Sequence, residues 1–228
     1  MGRALYSGSR RVTTEPSGPV VVRVPRTAAD WQAVRTLCCQ TGNGGRPIDP
    51  VRWPLFADLW IGPYQRLIPG WTYVAEAEGR IVGYLTGCPD TAAFRRARRF
   101  RVTLPLMIGI ALGRYGWTSD ARRTVRLAFR LGRGVESRLA PRLPAGFVRT
   151  HPAHLHMNVD AEHRRRGIGA LLIERYAHDL GKARVPGVHL FCGAEPRPFY
   201  ARNGFTDVAA LEMGPGLAVY VMGRRLVA

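Results

Sequence analysis

The chain of 228 residues carries 34 basic and 16 acidic side chains, which gives a formal net charge of +18. Its hydrophobic fraction of 46% and charged fraction of 22% are ordinary for a globular protein. No run of residues approaches the roughly 18 apolar residues that would cross a membrane. This length accommodates one domain with an insertion more readily than two domains, so we expect one active site.

The cysteines and the N-terminal residues both indicate the cellular compartment of the protein. Cys38, Cys39, Cys88 and Cys192 form no CxxC pair and no His/Cys cluster at metal-ligand spacing, which argues against a disulfide framework or a zinc site. Residues 1–18 are polar and lack the apolar core of a secretory signal. We therefore expect a disordered tail over 1–18, a single domain over 19–228 and a cytoplasmic protein.

The positive charge comes almost entirely from arginine, because Lys182 is the only lysine. Exchange of lysine for arginine leaves net charge unchanged, so the shortage of acidic residues needs its own explanation. An anionic cofactor, an anionic surface such as phospholipid or nucleic acid, and simple solubility are the alternatives at this point.

The N-terminal half predicts a strand, two helices and a hairpin. Residues 20–24 have the β-branched content of a strand, and 28–40 have helical periodicity. A second helix is predicted over 53–67. Strands over 71–77 and 80–85 flank Glu78-Gly79, a pair suited to a tight hairpin turn.

Residues 90–150 form the most basic part of the chain and predict a helical insertion. The twelve arginines between Asp90 and Ala140 are Arg95, Arg96, Arg98, Arg99, Arg101, Arg114, Arg122, Arg123, Arg126, Arg130, Arg133 and Arg138. The segment also holds an apolar run over 107–112 and an amphipathic helical pattern over 124–131. Two interpretations stay open, namely a packed insertion with solvated arginines and an element that docks on a membrane surface or a substrate.

The pattern most specific to a chemical function lies at 155–173. A predicted strand over 155–159 is followed by a polar turn, by the basic loop 164–170 and by an apolar helix start. A helix N-terminus has unpaired N–H groups and the positive end of the dipole, so it binds phosphate oxygens. Gly167 and Gly169 let the backbone approach the ligand, and Arg164, Arg165 and Arg166 add charge-assisted hydrogen bonds.

Arg164-x-x-Gly167-x-Gly169 resembles the coenzyme A motif of the GNAT superfamily, Q/R-x-x-G-x-G/A. A strand over 188–192 follows, and then Phe199-Tyr200-x-x-x-Gly204-Phe205, which is similar to the family's FYxxxGF segment. The resemblance implies an α/β (α+β) fold with a mixed, mostly antiparallel central sheet flanked by helices. The basic helical insertion would then lie between the third and fourth strands.

The same resemblance implies an acetyltransferase that uses acetyl-CoA and a small-molecule or peptide amine acceptor. The strands at 155–159 and 188–192 would splay to admit the pantetheine arm, and Tyr200 would protonate the departing thiolate. The implied cofactor-binding residues are Met157, Asn158, Val159, Arg164, Arg165, Arg166, Gly167, Ile168, Gly169, Ala170 and Phe199. Many family members place an asparagine after the second strand, whereas 193–198 is shortened here, so this pantetheine contact is in question.

No single carboxylate stands out as the general base. His154, His156 and Asn158 share one face of a strand by period two, and His156 is the best placed imidazole for relaying a proton near pH 7. His189 and Glu76 are weaker candidates. Cys192 lacks a nucleophile motif, and we interpret it as a small core residue.

Three further stretches of sequence indicate a subfamily within the GNAT superfamily. PAHLHMNV, VPGVHLF and LFADLWIGPY look similar to bacterial acetyltransferases related to the acetyltransferase-like domain of O-GlcNAc hydrolases.

A charge of +18 favours neutral or acidic acceptors unless Asp58, Glu76 or Asp90 focuses negative charge locally. An inactive acetyl-CoA-binding domain and an arginine-rich binder of membrane or nucleic acid are the alternative functions. We expect no stable nucleic-acid partner and leave monomer or homodimer open, with peripheral membrane contact through the insertion as a further alternative.

Overall fold

The protein is described by a computed structural model over residues 19–116, 119–129, 140–214 and 217–226. The tail predicted over 1–18 lies outside the described residues, as do residues 130–139 of the predicted insertion.

One seven-stranded sheet organises the described chain. Its strands are β1 Val21–Arg23, β2 Thr72–Ala77, β3 Arg80–Cys88, β4 Ala153–Val159, β5 Gly187–Cys192, β6 Thr206–Gly214 and β7 Leu217–Arg225. They lie in the order β1-β2-β3-β4-β5-β7-β6, and every neighbouring pair is antiparallel except β4 and β5. The predicted mixed, mostly antiparallel sheet is therefore confirmed. Strands β6 and β7 are not among the elements that the sequence predicts.

Helices cover both faces of this sheet. They are α1 Ala28–Thr41, α2 Trp53–Trp60, α3 Gly62–Leu67, α4 Thr91–Arg98, α5 Leu104–Ala111, α6 Ser119–Phe129, α7 Phe147–Thr150, α8 Ile168–Lys182 and α9 Arg197–Arg202. Helix α1 begins at a capping box in which the Thr27 side chain accepts from the Asp30 N–H and the Asp30 carboxylate accepts from the Thr27 N–H. The predicted helix at 28–40 is confirmed.

The helix predicted over 53–67 is in fact two helices. Helix α2 ends at Trp60, and α3 begins at Gly62 with Pro63 in its first turn. Proline has no N–H to donate and its ring obstructs the preceding turn, so the helix axis breaks here. The break leaves Trp60 and Tyr64 on separate short helices, and both side chains contact histidines of β4.

The hairpin and the insertion follow the predicted order. Glu78 and Gly79 adopt φ angles of 51° and 72°, as a two-residue turn with two left-handed positions requires, and they join β2 to β3. The chain then forms α4 to α7 between the third and fourth strands. Within the described part of the chain, no helix has the length and hydropathy to cross a membrane.

The two faces of β4 contact different cores. Leu155 packs in a core with Ile168 and Leu172 of α8, whereas Tyr84 of the neighbouring strand packs with Val34 of α1. His156 lies on the second face, where its ring contacts Trp60 and Tyr84. The sheet thus separates a face covered by α8 from a face covered by α1 and α2.

Candidate active site

Strands β4 and β5 separate soon after they meet. Their parallel pairing covers only Ala153 with Val188 and His154 with His189. Strand β4 continues to Val159 and β5 to Cys192 without pairing to each other. The facing edges therefore offer backbone N–H and C=O groups that an extended ligand with amide groups can pair with.

The loop after β4 ends at an open helix N-terminus. Arg165 and Gly167 have φ angles of 63° and 77°, and Gly167 directly precedes α8. No side chain among the described residues caps this helix, and Leu171 donates to the Gly167 carbonyl as the first backbone bond of its first turn. The N–H groups of Ile168, Gly169 and Ala170 precede that bond, so they have no acceptor within the helix. This arrangement suits an anionic group such as a pyrophosphate.

Gly167 and Gly169 have different roles. A β-carbon at Gly167 would meet no atom within 4 Å, so the left-handed backbone conformation alone favours glycine there. A β-carbon at Gly169 would lie 2.8 Å from Cζ of Phe199 and 3.3 Å from Cε of Met157. Gly169 therefore allows α8 to approach both α9 and β4, in addition to any approach of a ligand.

The three loop arginines also differ. Arg164 donates from Nε to the Val159 carbonyl at 3.2 Å and from Nη2 to the Gly45 carbonyl at 3.1 Å. It thereby joins the end of β4 to the loop between α1 and α2. Arg165 and Arg166 are exposed at the helix start, where their guanidinium groups are accessible to phosphate oxygens.

Tyr200 lies on α9 and is buried in the core that also contains Leu155 of β4 and Leu190 of β5. Its ring centroid is 5.2 Å from that of Phe199 and 5.8 Å from that of Phe205, and burial raises the pKa of its hydroxyl above the ordinary value. The hydroxyl therefore keeps its proton at neutral pH, as a general acid must. The nearby Cys192 thiol has its pKa raised by burial to about 11 and donates to Met222 Sδ, a contact that fits a small core residue.

His156 is enclosed on the face covered by α1 and α2. Its ring stacks against Trp60 with centroids 6.2 Å apart, and burial lowers its pKa to about 4. Asn158 Nδ2 donates to the Tyr84 hydroxyl at 2.9 Å and lies 3.4 Å from His156 Nε2. His156 is consequently a neutral imidazole at pH 7, held next to an amide.

His154, by contrast, has both ring nitrogens occupied. The Thr91 hydroxyl donates to the Pro152 carbonyl, so it accepts from His154 Nδ1 at 2.9 Å. That tautomer leaves Nε2 to accept from the Tyr64 hydroxyl at 2.7 Å. Burial lowers the pKa of His154 well below the usual value. The three residues predicted to share one face of β4 do so. His154 differs from His156 because its ring is hydrogen-bonded to Tyr64 of α3 and Thr91 of α4.

The weaker base candidates also have structural partners. His189 donates from Nδ1 to the His151 carbonyl at 2.7 Å. Glu76 accepts from Arg23 at 2.7 Å on β2, two strands away from β4. These contacts make both residues less suitable as a base than His156.

Two of the acids considered for attracting a basic acceptor are likewise bonded. Burial alone would raise the pKa of Asp58, but hydrogen bonds from Tyr115 and Arg35 lower it below the ordinary value. Asp90 accepts from the Ala93 N–H as the cap of α4. Their negative charge is therefore engaged by the protein itself.

A groove of about 920 Å³ lies between the loop after α1 and helix α6. Its basic lining residues are Arg52, Arg122 and Arg126, and its acidic one is Asp49. Phe56, which also lines it, has its ring 5.9 Å from that of Trp60, the residue stacked on His156. The groove is thus an arginine-lined cavity adjacent to the surroundings of His156. In the described part of the chain, no group of three His, Cys, Asp or Glu residues could hold a metal ion.

Comparison with known proteins adds the family. A sequence profile of the acetyltransferase (GNAT) domain matches residues 140–207, which contain the split strands, the loop and Tyr200. The crystal structure of SsHAT is 30% identical, with a TM-score of 0.71 over 92% of this chain and 100% of that chain. The chain belongs to the GNAT acetyltransferase family. It is an N-acetyltransferase, and its cofactor is acetyl-CoA.

More distant structures share the fold. Ard1 from Thermoplasma volcanium is 16% identical, with a TM-score of 0.52 over 92% of this chain and 99% of that chain. The structure of yncA from Salmonella typhimurium with its cofactor acetyl-CoA is 16% identical, with a TM-score of 0.51 over 91% of this chain and 94% of that chain. At 16% identity, the similarity to these two structures shows a shared fold and nothing beyond it.

Proposed function

We propose that this acetyltransferase moves the acetyl group from acetyl-CoA to an amine acceptor by direct attack within a ternary complex. The observation that carries the proposal is the split between β4 and β5 next to the open N-terminus of α8. A direct transfer needs no nucleophilic side chain, and the buried Cys192 thiol is protonated at neutral pH.

The residues present fit the cofactor. The unpaired β4 edge at Met157, Asn158 and Val159 would bind the amide groups of the pantetheine arm. The free N–H groups from Ile168 to Ala170 would bind the pyrophosphate, assisted by Arg165 and Arg166. When bound, acetyl-CoA supplies the acetyl group as a reactive thioester. Arg164 supports this site by holding the loop against β4.

Phe199 completes the proposed cofactor site beside Gly169. The chain between β5 and α9 is four residues long, 193–196, and contains no asparagine. We therefore propose that β4 carries the pantetheine contacts that other family members share between two strands.

Two side chains would move protons. His156 is neutral at pH 7, so its imidazole can accept the proton that the acceptor nitrogen loses as its bond to the acetyl carbon forms. Tyr200 is protonated at neutral pH, so its hydroxyl can donate a proton to the departing thiolate. Burial keeps His156 deprotonated and Tyr200 protonated at pH 7, the protonation states that a base and an acid need, while it reduces the basicity of the first and the acidity of the second.

The acceptor is proposed to carry an acidic or neutral group beside its amine. Arg52, Arg122 and Arg126 line the groove adjacent to the surroundings of His156 and favour a carboxylate or phosphate there. Asp58 and Glu76, which could have favoured a basic acceptor, are paired with Arg35 and Arg23. We also propose, from sequence resemblance, that the chain is related to the acetyltransferase-like domain of O-GlcNAc hydrolases and works in the cytoplasm.

The test combines cofactor binding with turnover. Calorimetry with acetyl-CoA should show binding, and thiol release should occur with part of an acceptor panel of acidic, neutral and basic amines. Tyr200→Phe should bind acetyl-CoA unchanged and lose roughly 10²-fold or more in kcat. Tyr220→Phe, in a partly exposed tyrosine of β7, is the matched control.

Each negative result has a separate meaning. Absence of acetyl-CoA binding would overturn the cofactor site, and binding without turnover of any amine would indicate an inactive domain. Equal kcat in Tyr200→Phe and the parent protein would remove Tyr200 from the chemistry. Preference for polyamines over acidic amines would contradict the proposed acceptor class.

A further inference from the structure

A stripe of exposed apolar side chains runs along the insertion. Phe100, Leu104, Ile108 and Leu112 are spaced four residues apart, and their exposed fractions are 66%, 55%, 52% and 79%. Phe100 lies in the π-helical turn Arg99–Thr103, which joins α4 to α5 without a break, Leu104 and Ile108 lie in α5, and Leu112 follows it. Side chains three or four residues apart are neighbours on the surface of such a helical segment. We call these four residues the apolar stripe. Single exposed apolar residues are common on proteins, but a continuous row of large ones marks an interaction site.

The opposite side of the same helical segment is anchored in the protein. Phe94, Val102 and Leu106 are buried, and the Phe94 ring stacks on Tyr64 of α3 at 4.9 Å. The segment therefore has an apolar inner side that packs on the domain and a second apolar side that faces solvent. Core packing accounts for the first side and leaves the apolar stripe unexplained.

Positive charge surrounds the apolar stripe at its N-terminal end. Arg96, Arg99 and Arg101 are exposed, and the Arg99 guanidinium lies 5.7 Å from the centre of the Phe100 ring. The sequence contains no acidic residue between Asp90 and Asp120. Large apolar side chains flanked by arginines, on a helix too short to cross a bilayer, are the features of a helix that lies in a membrane interface.

We propose that the apolar stripe and its arginines dock this enzyme onto an anionic phospholipid surface. Apolar side chains would enter the acyl boundary while the guanidinium groups contact lipid phosphates. A nucleic acid would pair with the arginines but offers Leu104, Ile108 and Leu112 no apolar interior to enter. A symmetric contact between two copies would bury the stripe, but the segment of the second copy carries no acidic residue between Asp90 and Asp120 to pair with the three arginines. The lipid surface satisfies both the apolar and the charged groups.

Vesicle co-sedimentation of the full chain tests the proposal. The probe is vesicles of phosphatidylcholine alone or of equal parts phosphatidylcholine and phosphatidylglycerol. We expect binding to the anionic vesicles, weakened by salt, and at least about a tenfold loss in the double variant Leu104→Ser/Ile108→Ser. The matched control is Val51→Ser/Val148→Ser, which changes two other residues that are 58% and 51% exposed and should bind like the parent.

Charge variants separate local contacts from net charge. Arg96→Gln/Arg99→Gln/Arg101→Gln should weaken vesicle binding several-fold more than Arg80→Gln/Arg184→Gln/Arg202→Gln, which removes the same charge from other exposed positions. Equal losses in the two triple variants, or equal binding by Leu104→Ser/Ile108→Ser and the parent, would overturn the proposal.

Light scattering at several protein concentrations examines the alternative occupant. A dimer that dissociates in Leu104→Ser/Ile108→Ser, with no vesicle binding by the parent, would assign the stripe to a second copy and contradict the lipid proposal. Acetyl-CoA binding by the same variant should match the parent, which confirms that it is folded.

Discussion

At the scale of single residues, the three histidines at the centre of the sheet differ in what their nitrogens contact. His154 and His189 are held by protein partners through short hydrogen bonds, whereas the ring nitrogens of His156 have, among the described residues, only a 3.4 Å approach from Asn158. All three have lowered pKa values because burial disfavours the imidazolium form. This difference is what makes His156 the proposed proton acceptor.

We predict that His156→Gln lowers kcat roughly 10²-fold and leaves the Kd for acetyl-CoA unchanged, because glutamine keeps polarity but is not a base. With a pKa of about 4, His156 should not contribute an inflection near pH 6.5 to kcat/KM. The rise of kcat/KM with pH should instead follow the ammonium group of the acceptor, and should move when an amine of different pKa is used. His178→Gln, in an exposed histidine of α8, is the control. Parent-like kcat in His156→Gln would exclude this role.

At the scale of elements, the first turn of α8 is the best defined part of the site. Gly169 lies where α8, α9 and β4 come together, and the side chains of Phe199 and Met157 already occupy the space that a β-carbon would take. Any larger residue must displace them from the proposed cofactor site.

Gly169→Val should weaken acetyl-CoA binding at least about tenfold, since the branched side chain forces Phe199 to move and crowds the free N–H groups. Gly181→Val is a matched control in the same helix, because no atom lies within 4 Å of its added β-carbon. Both changes carry the same intrinsic helix propensity, so calorimetric titration of the two proteins isolates the local contact. Equal affinities would show that the turn beginning at Gly167 does not bind the cofactor.

The sequence predicts these local elements well and their assembly less well. The loop at 164–170 can be predicted from the sequence because a strand, glycines and a helix start follow one another directly in the chain. The break at Ile61 is hidden because apolar periodicity continues through Pro63. Strand β7 joins the sheet by pairing with the earlier strand β5, and β6 joins it only by pairing with β7, so the place of both strands depends on the assembled sheet. The groove could not be predicted, since residues 42–56 and 119–126 meet only in the folded chain.

The alternation of side chains along a strand also cannot distinguish the roles of His154 and His156. It places His154 and His156 on one face correctly, but the partners that occupy His154 come from α3 and from the start of α4. Those partners lie more than sixty residues away in the sequence. Tertiary contacts therefore decide a functional difference between two equivalent strand positions.

At the scale of the whole molecule, most of the described ion pairs use arginine, and a large surplus of arginine stays exposed. Asp30, Asp58, Asp207 and Glu174 each accept from an arginine, whereas the net charge is still +18. Protonation of histidine or carboxylate adds positive charge to a chain that already repels itself. Acid should therefore destabilise this protein through self-repulsion as well as through its buried groups.

The buried histidines set the pH range of that loss. His156 and His189 have pKa values of about 4 when folded, against 6.5 for the unfolded chain, so between these values the unfolded state binds more protons. Their contribution to stability is complete above pH 6.5 and is lost as the pH falls toward 4, at roughly 2–3 kcal/mol for each. Urea unfolding between pH 7.5 and 4 should show this fall, and His189→Gln, which retains a donor for the His151 carbonyl, should flatten it. His178→Gln should follow the parent curve, because that side chain is exposed. A free energy of unfolding that stays constant from pH 6.5 to 4 would contradict the assignment of buried, neutral imidazoles to this sheet.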